Sequence, residues 1–204
     1  MKLVGSYTSP FVRKISVILL EKGQTFEFIN ASPWTSDSPV PHYNPLGKIP
    51  ALEMADGTWY ESHIIAARLE LEGLTPSLLP EDKLTALKVL QLEALADGIG
   101  DAAVILVRES MRPPELQMEE QIIRQREKIL RGLDALEKEA AQGTLLNSDT
   151  LNLADIATAC LIGFLNFRRV VPNWCVGRPA LVKLADKMFA RESFARTVPP
   201  QPES

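Results

Sequence analysis

Residues 2–22, KLVGSYTSPFVRKISVILLEK, decide the fold. Residues 2–7 are typical of a short strand. Ser9 followed by Pro10 predicts a helix that ends at Gly23, because serine is a common N-cap and proline suits the first helical position. The apolar face of this helix carries Phe11, Ile15, Ile18 and Leu19. The first turn of a helix has unpaired N–H groups and partial positive charge, so a hydroxyl placed there can stabilise an anion such as a thiolate.

Length and composition are those of an ordinary globular protein. The chain has 204 residues, 46% of them apolar and 24% charged, which is enough for one large domain or two small ones. A net charge of −4 argues against a protein that binds nucleic acid by neutralising phosphates. No apolar run reaches the roughly 20 residues that span a bilayer, and no signal-peptide pattern follows Met1, so we expect a cytoplasmic protein without membrane partners. Cys160 and Cys175 form neither a disulfide framework nor a metal site, and we expect both to serve packing.

The next part of the chain predicts three more strands and two more helices. The second strand follows the first helix directly, which indicates a right-handed parallel unit. Asp56-Gly57 predicts a tight turn that joins the third and fourth strands into an antiparallel hairpin. The predicted bounds are 25–29, 49–54 and 58–60 for the strands, 62–72 for a helix that Ser62 caps, and 30–47 for an irregular segment with one short helix.

After a linker at 72–80 the strand signals stop and helical periodicity takes over. We therefore divide the chain into domains at 1–74 and 82–204. Gly98 and Gly100 lie inside the first long helix, where they predict a bend or a close helix contact. Asn152 and Asp155 predict a capping box at the start of a central buried helix. The helices are predicted at 81–110, from beyond Pro114 to Gly143, from 152, and at 178–190, with an irregular tail at 198–202.

Two further segments carry groups that could bind a ligand together with the Ser9 turn. Ile49-Pro50 opens a strand with a proline. A cis bond there would direct the backbone of Ile49 toward a peptide ligand, although most X–Pro bonds are trans. Glu61-Ser62 places an acid and a hydroxyl at a helix start, a pair suited to an ammonium and a carboxylate, though a plain cap has the same sequence. In a small sheet, the three segments would converge on one edge and offer contacts to one small peptide.

These motifs resemble those of the cytosolic glutathione transferases. The resemblance rests on Ser9-Pro-Phe-Val-Arg-Lys14, Asn44-Pro-Leu-Gly-Lys-Ile-Pro-Ala-Leu52, Glu61-Ser62 and Asn152-Leu-Ala-Asp155, in this order. Three more motifs are similar to the bacterial YibF-type branch: Leu95-Ala-Asp-Gly98, Leu165-Asn-Phe-Arg-Arg169 and Arg191-Glu-Ser-Phe-Ala-Arg-Thr197. The resemblance covers nearly the whole chain. It implies an α/β thioredoxin-like N-terminal domain, an all-α C-terminal helical domain and a homodimer.

The resemblance also implies the roles of the site residues. Ser9 would donate a hydrogen bond to the sulfur of glutathione and lower the pKa of its thiol, so that the thiolate attacks an electrophilic carbon. Ile49, beside cis-Pro50, would pair with the cysteinyl backbone of glutathione, and Glu61 with Ser62 would hold the γ-glutamyl end. Lys48 is either a ligand of the glycyl carboxylate or a solvated loop lysine.

The second substrate and the reaction are less defined. Phe11 and Arg108 are candidates for the electrophile pocket, although core packing and a solvated helix face explain them nearly as well. Asp97 could reach the glutathione of a partner subunit, but acids on a helix face are usually only solvated. No cysteine occupies the turn before Pro10, so thiol–disulfide exchange through that position is excluded.

We therefore expect a glutathione transferase that uses glutathione as co-substrate, with a small electrophile and without a metal. The alternatives are a non-catalytic glutathione-binding or protein-interaction module on the same fold and a glutathione-dependent isomerase.

Overall fold

A computed structural model describes residues 1–200 of the chain, which form two compact units. The first unit contains Met1–Leu79 together with the segment from Phe189 onward, and the second contains Pro80–Met188. The predicted ranges 1–74 and 82–204 divide the chain at nearly the same place, but they assign the C-terminal segment to the other side. Of the predicted irregular tail, residues 198–200 belong to no helix or strand, and 201–202 lie outside the described residues.

The first unit is built on a four-stranded mixed sheet with strands β1 (Lys2–Gly5), β2 (Glu27–Asn30), β3 (Ala51–Met54) and β4 (Gly57–Tyr60). Their order in the sheet is β2-β1-β3-β4. Strand β1 pairs in parallel with β2 and antiparallel with β3, and β3 pairs antiparallel with β4. The predicted parallel unit and the predicted hairpin are therefore both confirmed.

Three helices complete the N-terminal part of this unit: α1 (Pro10–Glu21), α2 (Val40–Tyr43) and α3 (Ser62–Leu71). Helix α1 begins where the Ser9-Pro10 signal predicts. Its predicted apolar face is buried at Ile15, Ile18 and Leu19, while Phe11 is only half-buried. Nine of its 12 residues are buried in all, Arg13 and Lys14 among them, so α1 is covered on more than its apolar face.

The start of α3 differs from the prediction. Ser62 is the first residue of the helix, and Glu61 occupies the N-cap position with φ +66° and no capping bond from its side chain. The prediction that Ser62 caps the helix is therefore wrong by one residue. The reason is the left-handed backbone of Glu61, which few residues other than glycine adopt.

The linker after α3 is tied to α1 by a buried lysine. The Lys22 Nζ atom lies 2.8 Å from Glu70 Oε1 and donates to the carbonyls of Leu74 at 3.0 Å and Pro76 at 2.8 Å. The Lys22 side chain is completely buried. An ammonium removed from water requires such partners, so this segment is held in place by charge and hydrogen bonds.

The second unit is helical. Helix α6 is buried at 12 of its 16 residues and starts with the predicted capping box of Asn152 and Asp155. The C-terminal residues also form one short helix that the sequence did not indicate, α8, which belongs to the first unit. The remaining bounds are α4 (Lys83–Ser110), a 3-10 turn (Pro114–Leu116), α5 (Glu119–Gln142), α6 (Leu153–Arg168), α7 (Pro179–Phe189) and α8 (Glu192–Ala195).

Helices α4 and α5 approach closely at Ile99, between the two glycines that predicted a bend or a close helix contact, and the room for the Ile99 side chain is made by a glycine of α5. A Cβ atom added to Gly132 would lie 2.5 Å from the Cγ1 atom of Ile99, whereas one added to Gly98 would meet nothing within 4 Å. Gly132 thus accepts the Ile99 side chain, and Gly98 does not provide the space.

Across residues 1–200, none of the helices combines the length and the apolar character needed to cross a membrane.

Candidate functional site

Three segments leave the sheet at the same edge. In the strand register, Val4 of β1 lies beside Ala51 of β3, and Ala51 lies beside Tyr60 of β4. The chain after β1, the chain before β3 and the chain after β4 therefore meet at one edge of the sheet. These are the segments that carry Ser9, Ile49-Pro50 and Glu61-Ser62, so the predicted convergence is confirmed for the backbone.

The turn from β1 into α1 is compact because Gly5 has no side chain. A Cβ atom on Gly5 would lie 2.4 Å from the Cγ2 atom of Val12, well inside the contact distance of two carbons. The turn is closed by the Ser9 N–H, which donates to the Ser6 carbonyl at 3.1 Å, and by a 3.1 Å hydrogen bond between the hydroxyls of Ser6 and Thr8. The turn of residues 6–8 thus fixes Ser9 near the end of β1.

Ser9 caps α1 and keeps a hydrogen-bond donor. Its Oγ atom accepts the Val12 N–H at 3.3 Å, and its carbonyl accepts the Arg13 N–H at 3.0 Å. The hydroxyl acts as acceptor in the capping bond, so its own proton is available to an anion at the helix N-terminus. Ser9 is half-buried, and the first turn of α1 contains no acidic residue that would neutralise the helix dipole.

The Ile49-Pro50 peptide bond is cis, as the resemblance implies. The loop before it is organised by Asn44, which is completely buried. The Asn44 Nδ2 atom donates to the Lys48 carbonyl at 2.9 Å, and its Oδ1 atom accepts the Leu46 N–H at 3.0 Å. Asn44 opens one of the motifs that carry the resemblance, but the sequence alone did not indicate its role. The signal was an asparagine followed by a proline and a glycine, a combination typical of a turn that the side chain stabilises.

Glu61 has the most unusual backbone at this edge. A non-glycine residue at φ +66° is costly, and such residues concentrate at binding and catalytic sites. The Glu61 carboxylate lies 3.2 Å from the Lys48 Nζ atom, with both side chains partly exposed. Ser62 follows as a buried residue at the start of α3, where helical N–H groups point toward the edge. Lys48, Glu61 and Ser62 therefore form one cluster of a cation, a carboxylate and helix amides.

The remaining candidates lie away from this cluster along the chain. Phe11 is half-buried on α1 of the first unit, and Arg108 is exposed on α4 of the second unit, where its Nη1 atom is 3.9 Å from the Met111 sulfur. Their assignment to an electrophile pocket, like that of Asp97 on α4, stays a prediction.

Neither cysteine belongs to the cluster. Cys160 is buried as expected, but Cys175 is exposed, so its predicted packing role is wrong. Within residues 1–200, no group of three or more metal-ligating side chains is positioned to hold a metal ion.

Two family models match the chain. The model of the glutathione S-transferase N-terminal domain matches residues 3–72, and that of the C-terminal domain matches residues 99–192. The chain belongs to the glutathione S-transferase family. Together the two matches include the whole sheet edge and most of the helical unit.

The relatives of this family member support the same assignment. It is 58% identical over 202 residues to the uncharacterized GST-like protein YibF of Escherichia coli K12, covering 98% of this chain and all of that protein. A crystal structure of a Methylobacterium radiotolerans glutathione S-transferase in complex with glutathione sulfonate is 36% identical, with a TM-score of 0.90, over 100% of this chain and 97% of that one. A Methylobacillus flagellatus glutathione S-transferase with glutathione bound is 35% identical, with a TM-score of 0.89, over 98% and 99% of the two chains.

Proposed function

We propose that the protein is a glutathione transferase that binds glutathione at this sheet edge and conjugates it, through its sulfur, to a small electrophile. The observation that carries the proposal is the half-buried Ser9 hydroxyl, which caps α1 and retains its proton at the edge shared with Ile49-Pro50 and Glu61-Ser62. Two structural relatives at 35–36% identity, one in complex with glutathione sulfonate and one with glutathione bound, support this choice of ligand.

The chemistry follows from the pKa of a thiol. Near neutral pH a free thiol, with a pKa of about 8.5, is mostly protonated, whereas the thiolate is the nucleophile. The Ser9 O–H donates to the sulfur, and the N-terminus of α1 supplies positive potential, so both favour the thiolate. The thiol proton passes to solvent. The sulfur then forms a bond to the electrophilic carbon, and the leaving group departs with its bonding electrons.

The remaining residues orient the tripeptide. Ile49 supplies backbone groups beside Pro50 to the cysteinyl residue of glutathione. Ser62 and the first amides of α3 receive the γ-glutamyl carboxylate, and Glu61 receives the ammonium. Lys48 orients the carboxylate of Glu61, a role that the 3.2 Å distance between the Lys48 Nζ atom and that carboxylate supports.

The finer assignments belong to the same proposal. Phe11, half-buried in the first turn of α1, borders the electrophile, which is small and carries a carbon that a thiolate can attack. The protein works in the cytoplasm as a homodimer, the form that its family membership favours.

Calorimetry with glutathione and turnover with an aryl halide test the proposal. In Ser9→Ala we expect kcat to fall about 10- to 100-fold, since a lost donor to a developing anion costs on the order of 100-fold, while the glutathione Kd changes by less than about threefold. The matched control is Ser16→Ala, which removes a hydroxyl that donates to the Val12 carbonyl on the buried side of the same helix.

Three outcomes are informative. A kcat that falls in Ser9→Ala but not in Ser16→Ala supports the role of Ser9. An unchanged kcat in Ser9→Ala contradicts it. Tight glutathione binding without turnover in the wild type would instead support a non-catalytic binding module, and turnover of a double-bond isomer with glutathione regenerated would identify an isomerase.

A further inference from the structure

The segment Phe189–Thr197 lies along α1, and we call it the C-terminal clamp. It contains the last residue of α7, the short helix α8 and Thr197. The clamp belongs to the same compact unit as the strands and α1, although more than 160 residues separate it from α1 in sequence. It contacts α1 through charged side chains at both ends of the helix.

The first anchor is Arg13, one turn after Ser9. Only 8% of Arg13 is exposed. Its Nη2 atom donates to the Phe194 carbonyl at 3.1 Å, and its Nε atom donates to the Thr197 hydroxyl at 3.3 Å. The guanidinium also lies 5.2 Å from the ring centroid of Phe194 and 5.8 Å from that of Phe189. A buried guanidinium with two fixed acceptors and two aromatic faces has little freedom to move.

The second anchor is Glu21, the last residue of α1. Its two carboxylate oxygens accept from Arg191 Nε at 2.8 Å and Nη2 at 2.7 Å, a bidentate pair, and the Ser193 hydroxyl donates to the same carboxylate. A carboxylate at a helix C-terminus is disfavoured by the helix dipole. The Arg191 guanidinium offsets that effect and accordingly holds the pKa of Glu21 below its ordinary value.

Two anchors constrain a helix more than one does. Arg13 and Glu21 are eight residues apart, about 12 Å along the axis at 1.5 Å per residue. Contacts at both points oppose sliding of α1 along its axis as well as rotation about it. The Arg13 N–H donates to the Ser9 carbonyl at 3.0 Å, so the residue that the clamp holds is hydrogen-bonded to the residue proposed to meet the sulfur.

We propose that the C-terminal clamp fixes the first turn of α1 and that Arg13 is a positioning residue for the Ser9 hydroxyl. The inference rests on the proposed function for its catalytic consequence. It adds that the thiolate site depends on a segment that lies far from Ser9, Ile49-Pro50 and Glu61-Ser62 in sequence and acts on Ser9 through Arg13.

The test compares Arg13→Ala with Arg13→Lys and with Arg196→Ala. Arg196 is an exposed clamp arginine whose ion pair, to Glu192 at 3.7 Å, stays within α8 and the residue after it, which makes it the matched control. The readouts are the pKa of the bound thiol, from the pH dependence of thiolate ultraviolet absorbance, and kcat and KM with an aryl halide.

In Arg13→Ala we expect the pKa of the bound thiol to rise and kcat near neutral pH to fall about three- to tenfold, as expected for a pKa increase of about 0.5 to 1. The glutathione Kd should stay within about threefold, because Ile49, Glu61 and Ser62 are untouched. Arg13→Lys should recover part of the change, and Arg196→Ala should show none. A folded Arg13→Ala with the wild-type thiol pKa and kcat would overturn the proposal.

A second measurement separates this inference from the proposed function and covers a variant that fails to fold. Thr197→Ala keeps Arg13 in place and removes one acceptor, and hydrogen exchange at the Val12 and Arg13 amides reports on the first turn directly. Faster exchange than in Arg196→Ala supports the clamp even if the wild type does not bind glutathione. Unchanged exchange in Thr197→Ala, when Arg13→Ala is unfolded, overturns it.

Discussion

Helices α1 and α6 both begin with a residue that the sequence marks as a cap, but the two caps use their hydrogen-bonding groups differently. The Asn152 Oδ1 atom accepts from the amides of Ala154 at 2.9 Å and Asp155 at 3.2 Å, and its Nδ2 atom donates to the Leu145 carbonyl at 2.7 Å. The Asn152 N–H donates to the Asp155 carboxylate at 3.2 Å. Ser9, by contrast, makes one capping bond, at 3.3 Å.

The difference supports a structural role for the Asn152 cap and the proposed role of Ser9 toward a ligand. Asn152 is 5% exposed, and each of its polar groups has a partner within the protein. Ser9 is half-buried and still has a proton to donate. A capping residue whose donors and acceptors all have partners within the chain stabilises the fold. A capping residue that keeps a hydroxyl proton to donate at a sheet edge can also act on a bound anion.

The largest effect on stability is expected at the saturated cap. Asn152→Ala leaves two amides and the Leu145 carbonyl without partners in a buried place, which should lower the free energy of unfolding by about 3 kcal/mol. Denaturant titration measures this, with the exposed Asn173→Ala as the matched control. The kcat of the folded variant should be that of the wild type. A loss below about 1 kcal/mol would remove the contrast between the two caps.

A smaller loss of stability is expected at Ser9, the cap that we propose to act on the thiol. Ser9→Ala removes one capping bond from a half-buried site and should lower the free energy of unfolding by about 1 kcal/mol, and Ser9→Gly by a few tenths. The same denaturant titration applies. The contrast between the two caps is strengthened if the loss of kcat in Ser9→Ala, expressed as a free energy, exceeds the loss of unfolding free energy. It is contradicted if Ser9→Ala is as unstable as Asn152→Ala.

The smallest effect is expected at a third cap, Asp82 of α4. Its Oδ1 atom accepts from the Thr85 N–H at 2.8 Å and from the Thr85 hydroxyl at 2.6 Å, and these bonds lower the pKa of the exposed Asp82 carboxyl below 3.8. A lowered folded pKa means that the cap is fully effective above 3.8 and is lost as the pH falls through the lower value. Carboxyl chemical shifts should show Asp82 titrating below 3.8. Asp82→Asn should keep the cap and nearly the same Tm, and titration above 3.8 would contradict the assignment.

The parts of the site that depend on neighbours in sequence could be predicted. Ser9 before Pro10 and Asn152 three residues before Asp155 define helix starts by local hydrogen bonding alone, and both are as expected. Ser62 was predicted as a cap because the sequence shows a hydroxyl before an apolar helix. It does not show that the backbone of Glu61 is forced to φ +66°, since that conformation is set by the surrounding structure.

The parts that depend on distant residues could not be predicted. Arg13 meets Phe194, and Glu21 meets Arg191, across 181 and 170 residues, and no periodicity in either stretch records such a pairing. The helix contact at Ile99 was expected from nearby glycines, yet the space comes from Gly132, on a different helix. Sequence patterns thus predicted the order of strands and helices, but they did not predict which distant residues contact α1 and α4.

Gly5 also limits how this sequence can change over evolutionary time. A methyl group at position 5 would overlap the Cγ2 atom of Val12, a branched side chain that cannot turn away within a helix. A lineage that acquires alanine at position 5 must therefore already carry a smaller residue at position 12, or must shift the whole corner and its hydroxyl. Alanine at position 5 is therefore expected only in sequences in which position 12 already carries a smaller side chain than valine.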